Sequence, residues 1–104
     1  MEIALVICTC PAEIVEQVVE PLLQERLAAS VDQLVLGWSR YAFNTEIIED
    51  DVLLLITTAD HLTDAVHHHI LALHPLERAM IVSVALRESY ENYITWIRRR
   101  LDNR

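Results

Sequence analysis

The sequence predicts an α+β fold of order β-α-β-β-α-β-α, a ferredoxin-like βαββαβ unit with an antiparallel sheet and an extra C-terminal helix. Three observations predict it. The runs Glu2–Thr9 (EIALVICT) and Val52–Ile56 (VLLLI) contain no polar alternation, so neither face of either run is meant for water. Each run is followed by a stretch with helical spacing of apolar residues. In the split βαβ plan the first and third strands are central, and those are the two all-apolar runs here.

The first strand ends where Cys10-Pro11 turns the chain. Pro11 has the fixed φ wanted at a helix's first position, and Glu13 and Glu16 complement the positive end of the helix dipole. From Ala12 to Ala29 the spacing is helical, with Ile14, Val15, Val18, Val19, Leu22, Leu23 and Leu27 on one wide stripe. Pro21 lies inside it. An interior proline costs about 3 kcal/mol and frees the carbonyl four residues back, here that of Gln17, which predicts a kink rather than a break.

Val31–Leu36 reads as a strand, Gly37 allows a bend, and the aromatic Trp38–Phe43 reads as more strand. One long bent or bulged edge strand covers both. Asn44-Thr45 marks a hairpin turn. The run Val52–Ile56 sits between Glu49-Asp50-Asp51 and Thr57-Thr58-Ala59-Asp60, which set its ends. A buried helix fragment is the alternative for it; its length and the helix start that follows favour a strand. Asp60 can cap a helix that runs to about His74, before Pro75, with Leu62, Val66, Ile70 and Leu73 on its buried side. Ala79–Leu86 is a further strand. Ser89 caps a last helix with Tyr90, Tyr93, Ile94, Ile97 and Leu101 on one face and Arg98-Arg99-Arg100 in its last turn.

A chain of 104 residues is one domain, 1–104, and can bury a usable core without disulfides. It is 53% hydrophobic, with a mean hydropathy of +0.25, which suggests apolar surface buried between subunits. The net charge is −8 and all eight cations are arginine. Such a balance lacks the electrostatic footprint for nucleic acid or an anionic membrane surface. Cys8 and Cys10 stand two apart on a strand, about 7 Å from each other, a poor geometry for a disulfide. Reduced thiols and a cytoplasmic setting fit better. Met1-Glu2 opens straight into a strand without a basic leader, and no stretch reaches membrane-spanning length, so no membrane insertion is expected.

His67-His68-His69 is poorly spaced for metal, because adjacent helical residues are about 100° apart. His69 falls on the apolar stripe while His67 and His68 point away, as solvated or interface histidines. Glu49, Asp50 and Asp51 read as a solvated edge rather than a catalytic pair. A single glycine excludes a phosphate-cradling loop, and no triad-like constellation is recognisable. The chain therefore reads as a non-enzyme.

Several segments carry a resemblance. Ile7-Cys8-Thr9-Cys10-Pro11, Glu25-Arg26-Leu27-Ala28-Ala29-Ser30-Val31-Asp32, Ser39-x-Tyr41-x-Phe43, Leu53–Thr58 (LLLITT), His74-Pro75-Leu76-Glu77 and Tyr93-Ile94-Thr95-Trp96-Ile97 stand in order and at near-family spacing. Together they resemble the CutA divalent-cation-tolerance family, of which this is a divergent member. Ser30 and Asp32 replace the family's Cys and Asn, Thr57 its Lys, and Leu76 its Tyr.

The resemblance implies a compact homotrimer, similar in architecture to the trimeric PII signalling proteins, with the edge strand from Val31 to Thr45 pairing with a neighbour. It implies a part in divalent-metal tolerance, with copper as the named metal. In some relatives metal is held by the first-strand Cys and by histidines just before the H-P proline. Cys8 and His74 occupy those positions, while Leu73 stands where a second His would be. Two such donors suit Cu(I), Cu(II) or Zn(II), held weakly. The alternative is a PII-like signalling or scaffold module that takes a small effector or partner at subunit clefts, without metal.

Overall fold

In the computed structural model, which describes residues 2–36, 38–40, 47–49, 51–74, 80–87 and 89–102, the two apolar runs lie side by side. Strand β1 (Ile3–Pro11) pairs antiparallel with β5 (Asp51–Ala59) along its whole length, from Ile3 opposite Ala59 to Pro11 opposite Asp51. The edges are β2 (Ser30–Val35) on β5 and β6 (Ile81–Ala85) on β1, giving the order β2-β5-β1-β6. That is the order the ferredoxin-like plan requires, with the two apolar strands in the middle. Two short strands, β3 (Trp38–Arg40) and β4 (Ile47–Glu49), pair as a separate ribbon, so the edge strand is divided between two sheets. Gly37, the rest of the aromatic segment and the turn at Asn44-Thr45 lie outside the described residues.

The pleat sorts β1 and β5 into two faces. Val6, Cys8 and Cys10, with Val52, Leu54 and Ile56 opposite them, are buried on one face. Helices α1 (Val15–Gln24) and α2 (Thr63–Leu73) supply their partners: Val18, Val19 and Leu22 from α1, Val66 and Ile70 from α2. Helix α3 (Glu91–Asp102) packs against β5 and buries Ile97 and Leu101. On the other face Leu5, Ile7, Leu53 and Leu55 stay half-buried, and Leu34, Val82 and Val84 are exposed at 45–47%.

Several local expectations give way to chain geometry. The first strand continues through Cys10 to Pro11, and a 3₁₀ turn over Ala12–Ile14 precedes α1. Pro11 therefore precedes the helix rather than opening it. Helix α1 passes through Pro21 unbroken but stops at Gln24, not Ala29. Its end is a Schellman cap: Arg26 N–H donates to the Leu23 carbonyl and Leu27 N–H to the Leu22 carbonyl, with Arg26 at φ 56°. Leu27, which continues the apolar stripe in sequence, is buried as the hydrophobic partner of that cap.

Thr57 and Thr58 are part of β5 rather than its boundary. Asp60 makes no side-chain cap; it begins a 3₁₀ turn (Asp60–Leu62), and Thr63 Oγ1 donates to its carbonyl. At α3 the Tyr90 carbonyl accepts the first bonds, from Tyr93 and Ile94, so Ser89 is not the cap. Tyr90 and Tyr93 are exposed, because the buried stripe of α3 is the narrower set Ile94, Ile97 and Leu101. No helix among the described residues is long and apolar enough to cross a membrane.

Candidate metal site

Cys8 and Cys10 on β1, Asp51 at the start of β5 and His74 after α2 all lie toward the end of the sheet where Pro11 pairs with Asp51. Cys8 and Cys10 face the helix-covered side, as residues two apart on a strand must. Both are free thiols and fully buried. Burial pushes the Cys8 thiol from an ordinary value of 9.0 up to about 12, helped by the nearby Cys10 and Asp51. Cys10 is pushed up to about 11 by burial and by Asp51. Neither is a reactive nucleophile at neutral pH, since the thiolate is the reactive form.

His74 follows the last residue of α2, where its extended backbone ends the helix and its N–H still reaches the Ile70 carbonyl. Its ring turns back onto the first strand: Nε2–H donates to the Thr9 carbonyl at 2.7 Å. Thr9 lies between the two cysteines in sequence. The ring is therefore seated on the strand segment that carries Cys8. A carbonyl can only accept, so Nε2 carries the proton in this contact; in a neutral ring the lone pair is then on Nδ1. Pro75 and the residues up to 79 lie outside the described part of the chain.

Asp51 is the surprise. Read as part of a solvated acidic edge, it is 2% exposed. Antiparallel pairing sets it opposite Pro11 at the end of the ladder, on the face of β5 that carries Leu53 and Leu55 rather than the face of Cys8 and Cys10. Burial raises its pKa, while a hydrogen bond from the Val52 N–H and the nearby His74 act the other way. Its Oδ1 has no hydrogen-bond partner. Sequence reasoning singled out Cys8 and His74, and both stand at this end of the sheet. It missed the proximity of Cys10 and Asp51. The signal was present: Asp51 is the acid directly joined to an all-apolar central strand.

A thiol and an imidazole, the groups of Cys8 and His74, are donors that suit Zn(II), Co(II) or copper. Among the described residues, no three His, Cys, Asp or Glu side chains already stand together as a preformed metal site. The histidine run does not join this site. His67 is half-buried rather than pointing away, with Nε2 2.7 Å from Ser83 Oγ on β6. His69 Nε2–H donates to the Val18 carbonyl at 3.0 Å, tying α2 to α1, and His68 is exposed.

Comparison with known proteins gives a consistent result. The family model for the CutA1 divalent ion tolerance protein matches residues 4–100. The divalent-cation tolerance protein CutA of Thermus thermophilus is 33% identical over 95 residues, which cover 89% of this chain and 92% of that protein. The human Protein CutA is 29% identical over 92 residues, 86% of this chain, and the match spans only 51% of the human protein's length. The crystal structure of CutA from Xylella fastidiosa superposes with a TM-score of 0.86 at 32% identity, over 98% of this chain and 100% of that one. That of CutA1 from Oryza sativa gives a TM-score of 0.85 at 22% identity over 96% and 94% of the chains, a likeness of fold.

Proposed function

The chain belongs to the CutA1 divalent ion tolerance family, and from that premise we propose that it is a homotrimeric, non-enzymatic protein of the divalent-metal response, copper included, that holds an ion weakly through Cys8 and His74. The observation that carries the metal reading is the bond from His74 Nε2–H to the Thr9 carbonyl, which seats the imidazole on the strand segment bearing Cys8. Hydrogen-bonding one ring nitrogen to a backbone carbonyl fixes the tautomer and orientation of a ligating histidine. What a bound ion supplies here is reversible occupancy, a signal rather than a reaction. Weak binding follows from the thiol, which must give up a proton that burial holds on tightly.

Assembly is supported by the sheet itself. A face carrying half-buried Leu5, Ile7, Leu53 and Leu55 and exposed Leu34, Val82 and Val84 is more apolar than a lone chain leaves in water. Calorimetric titration of Cu(II) and Zn(II) into the wild type, Cys8→Ala and His74→Ala tests the ligands. Weaker binding in both variants supports them, and isotherms identical to the wild type remove them. Light scattering tests the trimer: a stable mass near 12.0 kDa, that of one chain, would sink it.

A second reading, a module for a small effector, is favoured by one observation. A cavity of about 910 Å³ lies between the end of β6 and α3, lined by Glu2, Arg87, Glu91, Ile94 and Arg98 among others. A thermal-shift screen with nucleotides and small anions checks it; stabilisation that disappears in Arg87→Ala places the effector there.

A further inference from the structure

We propose that the cavity between the end of β6 and α3 is a site for a small zwitterion, an aliphatic α-amino acid, with Arg87 taking its carboxylate and Glu2 its ammonium group. The proposal rests on the second reading above, that this cavity takes a small effector, and goes on to name the class of that effector.

The strand ends set the geometry. β1 and β6 pair with Ala4 opposite Ala85, and the ladder runs on where the Leu86 N–H donates to the Ile3 carbonyl at 3.0 Å. One further step along that register sets Glu2 opposite Arg87, and both line the cavity. Residues opposite each other on an antiparallel ladder stand about 4.5–5.5 Å apart at Cα, with their side chains on one face. The Glu2 backbone is pinned as well, since its carbonyl accepts the Asp60 N–H at 2.8 Å. An acid and a base held at that spacing match a ligand whose ammonium and carboxylate groups share one carbon.

The rest of the lining fits the same ligand. Helix α3 supplies Glu91, Ile94 and Arg98, whose helical spacing puts them along one face. Ser89 comes from the segment before α3 and brings the cavity to the positive end of that helix, which favours a carboxylate. Ile3, Leu86 and Ile94 form an apolar wall for an aliphatic side chain. The charges of the lining balance, two arginines against two glutamates. A phosphate or polyphosphate would meet both carboxylates, whereas a zwitterion has a partner for each of its ends.

The test is calorimetric titration of the full chain with L-leucine, with isocaproate, which lacks the ammonium group, with isoamylamine, which lacks the carboxylate, and with inorganic phosphate and ATP. L-Leucine is expected to bind about tenfold or more tighter than either one-ended analogue. Arg87→Ala should weaken leucine binding by about tenfold or more. Glu2→Gln should bring leucine down to the affinity of isocaproate and leave isocaproate itself unchanged. Both positions are exposed, so the variants keep the fold. If isocaproate binds as tightly as leucine and Glu2→Gln changes nothing, the site does not select a zwitterion and the proposal falls. If phosphate or ATP binds and loses that binding in Arg87→Ala, while leucine does not bind, the proposal falls and the effector reading stands. A chain that binds none of these compounds overturns both.

Discussion

The two faces of the central sheet are built from neighbouring residues of the same strands, yet they end in different states. Leu54 and Ile56 are fully buried beneath α1 and α2, whereas Leu53 and Leu55 on the reverse side are only half-covered. One face is completed by the chain's own helices; the other, among the described residues, is left partly open. The difference is what the proposed assembly requires: an unbroken apolar strand written for a second face that another chain covers. A water-facing side would have been written with polar residues, as in other one-sided antiparallel sheets.

Adjacent leucines give the most direct way to break the comparison. Leu54→Ala should cost about 3–5 kcal/mol, the upper part of the range for a fully buried leucine that leaves a cavity. Leu55→Ala should cost about half as much in dilute solution. Its cost should rise toward that of Leu54→Ala at higher protein concentration, as a partner covers the second face. Denaturant titrations at two concentrations measure both. Equal costs at every dilution would mean that the reverse face is never open.

Val84→Asp sharpens the same contrast from the edge strand. Val84 lies opposite Leu5 on the reverse face and is 47% exposed. A charge there leaves the fold of one chain nearly untouched, within about 0.5 kcal/mol for an exposed position. In an assembled face it is buried without a partner, so light scattering should show a lower mass than the wild type. An unchanged mass would place the subunit contact elsewhere.

The covered face carries its own pH signature. Cys8 and Cys10 have folded-state values of about 12 and about 11, against an ordinary 9.0. Above pH 9 the unfolded chain gives up these protons while the folded chain keeps them. The unfolded state then binds fewer protons, so stability falls as pH rises. The loss begins near pH 9 and continues to about pH 11–12, at up to about 1.4 kcal/mol per pH unit for each thiol. A Cys8→Ala, Cys10→Ala double variant should flatten the melting curve across that window. Metal affinity should run the other way between pH 6 and 8, tightening as the released thiol proton becomes easier to lose.

What was legible in the sequence follows the same division. The strand order could be read because Glu2–Thr9 and Val52–Ile56 are apolar on both sides, a signal spread over many residues. Cys8 and His74 could be nominated through family resemblance, and the chain brings both to one end of the sheet. Features set by a single contact were not legible. Asp51 reads as one more acid in Glu49-Asp50-Asp51; its junction with the all-apolar strand is the one local cue, and its place opposite Pro11 depends on how β5 pairs. Ser89 and Asp60 have the right chemistry for caps, but the backbone places other residues at the helix starts. Leu27 fits the helical period, yet its burial comes from the chain turning back over Leu22.

That turn supplies the smallest expected effect. Arg26 holds φ 56°, a conformation that non-glycine residues reach at a cost of about 1–2 kcal/mol. Glycine is the usual occupant of that position in a Schellman cap. Arg26→Gly removes the strain but also removes the bond from Arg26 Nη1 to the Arg100 carbonyl of α3, exposed and 3.2 Å long. A solvent-exposed hydrogen bond is worth about 0.5–1 kcal/mol net. Glycine also makes the unfolded chain more flexible, by up to about 1 kcal/mol. The sum leaves a change within about 1 kcal/mol of zero. A clear loss beyond that would mean that the arginine's grip on α3 outweighs the backbone strain, and that the α1 cap and the C-terminal helix hold one another in place.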